Sequence, residues 1–235
     1  RTHGSAADPV LPGSGGGGHS TRAGGDGGGA VRIAATGRVT VDGRISTDAT
    51  EGATGGSGGS VWIDCQTFAG GGLVSARGSK GAYVHCGQGG GGRIAVHYDT
   101  AAQSAEPVPA VVLTTRPGGD LSANAANNTI RGDFGTVWLP DARLLDADTV
   151  TNVTGKIWGV TRLARNSWTL EKTWIRFSEP GFELDATNGL TVTGAGAMLQ
   201  VGGGTEQFFD PSNGVVQADI RYRTGWDNAY CPAVA

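Results

Sequence analysis

Short stretches of alternating apolar and polar residues recur along the chain, each introduced by glycine. They read Gly29-Ala30-Val31-Arg32-Ile33, Gly59-Ser60-Val61-Trp62-Ile63, Gly92-Arg93-Ile94-Ala95-Val96 and Gly135-Thr136-Val137-Trp138-Leu139. Alternation with a period of two is the signature of a β-strand with one buried face. Aligning Val31, Val61, Ile94 and Val137 gives spacings of 30, 33 and 43 residues. A second strand follows in the first three units: Gly43-Arg44-Ile45-Ser46-Thr47, Gly72-Leu73-Val74-Ser75-Ala76 and, less clearly, Ala110-Val111-Val112-Leu113-Thr114. Each unit is therefore strand, turn, strand and glycine-rich loop. A near-constant period with loops of variable length predicts a coiled stack of such units.

One unit cannot bury its apolar side alone, so neighbouring coils must cover it. Stacked about 4.8 Å apart, Val31 and Ile33, Val61 and Ile63, Ile94 and Val96, and Val137 and Leu139 form continuous inward ladders. The expected fold is an all-β, right-handed parallel β-helix or β-solenoid with glycine-rich turns and little or no helix; the hand is the default of parallel crossovers. Residues 1–147 read as glycine-rich coils, with an irregular excursion over 101–128 marked by Pro107, Pro109 and Pro117. Residues 148–235 read as tighter coils of the same stack, with strand-like runs at 168–170, 174–177, 182–185, 190–193 and 198–201.

Composition sharpens this picture. The chain carries 43 glycines in 235 residues without a collagen period, and its six Trp and six Phe are too many for a disordered tract. The net charge of −3 comes without any run of like charges, which argues against nucleic acid as a partner. No apolar stretch approaches the roughly 18 residues of a membrane span. Scarce Lys with common Thr, Ser, Asn and Asp suits a secreted or cell-surface setting. The chain starts at Arg1 and reads as a trimmed piece of a longer polypeptide. Asn127 and Asn152 begin Asn-x-Thr sequons.

Gly-Gly-Ser-Val-Trp-Ile at 58–63, Gly-Gly-Gly-Gly-Arg-Ile-Ala-Val at 89–96 and Asn-Gly-Leu-Thr-Val-Thr-Gly-Ala-Gly-Ala at 188–197 resemble the glycine-rich coils of parallel β-helix surface proteins, as in very large secreted bacterial proteins. The resemblance implies a fold and an extracellular setting. Adhesins, polysaccharide lyases and scaffolds share that fold, so function must come from a site.

The sharpest chemical candidate is Val61-Trp62-Ile63-Asp64-Cys65, which resembles the Val-Trp-Ile-Asp-His motif of pectate lyases. Cys65 stands where that motif has His, and Arg116-Pro117 lacks the spacing and second arginine of the lyases' other element. The competing reading is a plain repeat copy, so no catalytic residue is assigned and no enzyme is expected. Calcium-binding glycine repeats need an aspartate where this chain has Ser60. An isolated calcium ion near Asp26, Asp42 or Asp48 is the one cofactor left open. Gly13 to Gly18 match a dinucleotide-loop pattern by composition alone, lacking the flanking strand and helix. Cys65 with His85 and Cys86 fits no standard zinc spacing. Of the three cysteines, Cys65 and Cys86 are the preferred disulfide pair, with Cys231 left over.

Between the inward ladders lies an outward column of Arg32, Trp62, Ala95 and Trp138. Two large aromatics flanking a small residue make a slot for a sugar ring, a neighbouring subunit or the 101–128 excursion, unless the chain's own loop covers it. The expected role is a structural unit that associates with copies of itself, or with the rest of a longer chain, into a surface fibre or matrix. The alternative is a module acting on polysaccharide, by binding or by lyase-like cleavage.

Overall fold

The computed structural model describes residues 5–83, 86–119 and 132–202, and the chain is a parallel β-solenoid. The first coil contains β1 (Ala30–Ala34), β2 (Arg38–Thr40) and β3 (Arg44–Ser46). The second contains β4 (Ser60–Cys65), β5 (Thr67–Ala69) and β6 (Leu73–Ser75). The third runs through β7 (Arg93–Tyr98), a short helix α1 (Thr100–Ser104) and β8 (Val112–Thr114). The fourth has β9 (Thr136–Trp138), a 3-10 turn over Arg143–Leu145 and β10 (Thr149–Val150). Then follow β11 (Val153–Trp158), β12 (Arg162–Glu171), β13 (Trp174–Phe177), β14 (Glu183–Thr193) and β15 (Met198–Val201).

All pairings between these strands are parallel, and the register places like with like. One inward ladder runs Val31–Val61–Ile94–Val137–Ile157–Phe177–Val201. A second runs Ile45–Val74–Leu113–Val153 on the opposite face. Val61, Ile94, Val137, Ile157, Phe177 and Val74 are fully buried. Each such side chain stabilises the stack by roughly 1.5–3 kcal/mol. Later coils are filled by larger groups: the Phe177 and Phe182 rings stack at 3.9 Å, and Trp168 lies 6.3 Å from Phe177.

The segment expected to be irregular contains two regular elements. Helix α1 is capped by Asp99, whose carboxylate accepts from the Ala102 amide at 2.8 Å. Its fully buried Gln103 accepts from the Phe68 amide at 2.7 Å and donates to the Phe68 carbonyl at 3.1 Å. The side-chain amide thus replaces a neighbouring strand and ends the β2–β5 ladder. Strand β8 then returns to the stack, so the path through 112–114 is an ordinary rung.

The glycine-rich connections form a layer of their own. Gly25 and Gly28 donate to Thr54 and Ser57 carbonyls; Gly55 and Gly58 donate to Gly87 and Gly90. Gly13 and Gly16 donate in the opposite sense to Gly28 and Gly25. Bonds recur at every third residue between these segments, the spacing at which close-packed polyproline-II chains such as collagen admit only glycine. Gly28 shows why: a Cβ there would overlap the Thr47 carbonyl oxygen and the Gly59 nitrogen. The layer ends at β11. Val153 and Thr154 pair with β8, whereas Lys156 to Trp158 pair with β9, so one strand serves two faces. The corner between them is Gly155, with φ of 151°. A Cβ at Gly155 would overlap the Thr115 hydroxyl. Beyond it, Ile157 meets Phe177 only 20 residues on.

Gly28→Ala is therefore expected to lower unfolding free energy by about 3 kcal/mol through forced displacement of packed backbone. Gly29→Ala, where a Cβ meets no atom within 4 Å, is expected to stay within about 0.5 kcal/mol. Urea unfolding of the two variants against the parent checks both.

Candidate functional site

The outward column predicted from the repeats exists in register. Arg32 pairs with Trp62, Trp62 with Ala95, and Ala95 with Trp138. It continues to Trp158, which pairs with Trp138. The slot over Ala95 is not open, however. His97, two residues along β7, lays its ring over the gap, stacked on Trp138 at 4.2 Å and tilted against Trp62 at 5.5 Å. At the other end the Arg32 guanidinium lies 3.5 Å from the Trp62 ring centre, a cation–π contact. Arg32, Trp62, Ala95 and Trp138 are thus a filled column rather than an empty cleft.

A strap formed by residues 5–13 crosses this column. Asp8 pairs with Arg32 at 3.1 Å. The Ala7 carbonyl accepts from His97 Nε2 at 2.7 Å; a carbonyl only accepts, so that nitrogen carries the proton. The Leu11 carbonyl accepts from Ser60 Oγ at 2.5 Å and from Arg93 Nη2 at 3.0 Å. Pro9 is buried between these anchors, and Val10 and Leu11 face solvent at 56% and 48% exposure. The cover over the column comes from the beginning of the chain. The described part of the 101–128 segment follows the coil instead.

Beside this face, a shallow open depression is lined by Ala34, Ala35, Thr36, Asp64, Cys65 and Gln66. Cys65 occupies the position of the lyase histidine but faces inward, and its Sγ donates to the His97 carbonyl at 3.5 Å. Burial, the largest influence, pushes its thiol up from 9.0 to about 11, with the Asp64 charge adding to it. Nearby, Tyr98 donates to Asp141 at 2.5 Å; burial, then this bond, raises its phenol.

The expected disulfide does not form: Cys65 and Cys86 are both free, buried thiols. Cys65 ends β4 in register with Tyr98, whereas Cys86 closes a turn on the glycine side, its amide bonded to Tyr83 and its Cβ facing Gly81. The two sulfurs belong to different faces of the coil. His85, Asn127 and Cys231 lie outside the described residues. Asn152 has its side-chain amide committed to the Val111 carbonyl at 3.0 Å.

The three aspartates considered for calcium fall in separate places. Asp26 is an exposed member of the glycine layer, its amide donating to Thr50 Oγ1 at 2.8 Å and its carbonyl accepting from the Thr50 amide at 3.0 Å. Asp42 accepts from the Gly71 amide at 3.0 Å. Asp48 accepts from Ser75 Oγ at 2.5 Å, the Arg77 amide at 2.7 Å and Arg44 at 2.6 Å. Burial alone would raise the Asp48 carboxyl, but these bonds outweigh it and hold it below the usual range. They satisfy its oxygens from its own coil and the next. Among the described residues, no group of three or more His, Cys, Asp or Glu is placed to hold a metal ion, and no helix is long and apolar enough to cross a membrane.

The fold defines the chain as an all-β parallel solenoid with an aromatic outer column under a strap. Comparison with protein-family models, curated proteins and solved structures found no match.

Cys65 and Tyr98 set an alkaline limit on stability. Both groups ionise less readily folded than unfolded, so their contribution is complete below the unfolded values and lost as pH rises through the folded ones. Denaturant midpoints should hold steady up to about pH 9 and fall between pH 9 and 11, where the Cys65 thiol lags its ordinary titration. Cys65→Ala should flatten part of that fall, measured by urea unfolding at pH 7, 9 and 10.5.

Proposed function

We propose that the chain is a structural unit of an extracellular surface, a solenoid segment that joins copies of itself, or neighbouring segments of a longer chain, into a fibre or matrix. The observation that carries this reading is the open first coil. Among the described residues, strand β1 pairs only with β4, β2 only with β5 and β3 only with β6, which leaves one row of main-chain donors and acceptors per strand. The inward side chains Val31, Ile33, Val39 and Ile45 are only partly buried there, though Ile33, Val39 and Ile45 pack on the core. At the other end of the stack, among the described residues, β15 pairs with β13 alone, and Val192 and Val201 are 41% and 37% exposed.

Parallel coils give the two ends matching polarity. Strand β15 of one copy set against β1 of the next would extend the ladder from Val201 to Val31 without a change of direction. Such a contact is heterologous and does not close on itself, so it propagates. A secreted or cell-surface setting fits the low charge and the glycine-rich, Thr- and Ser-bearing surface.

A second reading, a module that binds polysaccharide, is favoured by one observation. Trp138 and Trp158 stand on successive rungs beyond the strap and both keep part of their surface exposed. Indole faces at such spacing suit the apolar faces of sugar rings.

Negative-stain electron microscopy of the purified protein at neutral pH, with and without chelator, tests the first reading. Regular fibres that persist in chelator are expected, and Ile45→Asp, at the open coil, should abolish them while leaving the circular dichroism of β-structure intact. Dispersed monomers of the parent protein would refute it. For the second reading, titration with soluble plant and bacterial polysaccharides should quench tryptophan fluorescence, and Trp158→Ala should weaken the quench at least about fivefold; no quench with any of them removes that reading.

A further inference from the structure

We propose that the aromatic column is a docking groove for a short proline-bearing extended peptide, and that the strap of a second copy, residues 5–12, is a ligand it takes in exchange for its own. End-to-end stacking is not involved: this contact joins copies side to side.

The groove has a recognition pattern. Its partner must offer two main-chain carbonyls four residues apart, those of Ala7 and Leu11, to donors on β7 and β4. It must place a carboxylate directly after the first carbonyl, where Asp8 meets the Arg32 guanidinium that lies on Trp62. It must bury a proline next, as Pro9 is buried. Pro9 and Pro12 fix φ near the polyproline-II value, so the peptide is partly ordered before it docks. Aromatic-lined grooves take such segments because little conformational entropy is lost on binding. His97 presents its Nε2 proton from a ring held against Trp138.

The occupant follows from the attachments. Every contact that the strap makes in its own coil can be made without change by the same residues of another copy, so exchange alters connectivity and not chemistry. The strap is held by side chains of β1, β4 and β7 at a few points, and its ion pair is exposed, with side-chain accessibilities of 57% and 62%. Exposed pairs are weak. A contact this weak opens readily, and the same contact in trans competes with it once copies approach the effective concentration set by the tether, on the order of millimolar for a short flexible one, as in a matrix.

Complementary variants test this, both carrying Ile45→Asp so that coil ends cannot stack. One lacks residues 1–12 and keeps the groove; the other keeps the strap but carries Arg32→Ala and His97→Ala. Circular dichroism first establishes that each is folded. The expected result in sedimentation velocity is a one-to-one heterodimer on mixing, with each variant monomeric alone. Adding Asp8→Ala to the strap donor should weaken the heterodimer by about two- to fivefold. Two folded variants that sediment as monomers when mixed overturn the proposal, as does a heterodimer that persists when the donor also lacks residues 1–12. Neither result bears on whether the parent protein forms end-to-end fibres.

Discussion

Main chain packed directly on main chain is the constraint on which this molecule depends. In the first four coils the segments between the two ladder-bearing faces run side by side with carbonyl oxygens where side chains would otherwise be. Gly28 lies against the Thr47 carbonyl, and its amide bonds to Ser57 on the neighbouring segment. This contact sets where each coil can turn back, and so sets the register in which Val31, Val61, Ile94 and Val137 meet. The aliphatic ladders supply most of the burial, and in these coils the glycine segments hold them at one spacing.

Gly155 shows the same constraint being released. There the long return through glycine is replaced by a single left-handed corner, β11 serves two faces, and the coil shortens. The interior changes with it, from aliphatic rungs to the stacked rings of Phe177 and Phe182 beside Trp168. A strand that bends this sharply also brings Trp158 under Trp138, which lengthens the aromatic column on the outside.

Much of this was legible in the residues. Alternation around Val31, Val61, Ile94 and Val137, each after glycine, identifies the first face and its inward side, and the outward column follows by parity. Trp158 was missed although Gly155-Lys156-Ile157-Trp158 repeats the pattern, because its spacing of 20 residues from Val137 to Ile157 breaks the earlier period. The glycine layer was read as turns, since hydrogen bonds at three-residue intervals leave no alternation of apolar and polar residues. His97 and the strap were invisible for another reason. What fills the gap over Ala95 is a contact between segments some ninety residues apart, made through carbonyls that every residue possesses. The Cys65–Cys86 pairing failed because closeness along a coil says nothing about which face a side chain leaves. Asp48, one of three equal candidates in sequence, is distinguished only by the Ser75 and Arg77 donors that fold brings to it.

The corner at Gly155 also divides the solenoid mechanically. Main-chain bonds between parallel coils lie along the axis of the stack, so a pull on the two ends loads them in tension. Above the corner every coil is tied to the next both by strand ladders and by the glycine segments, whose bonds share that load. Below it, among the described residues, the load falls on strand ladders: β11 with β13, β13 with β15, and the long ladder of β12 with β14. Under tension the molecule is two rods joined at one glycine, the first loaded partly through main chain packed without side chains and the second through its strands.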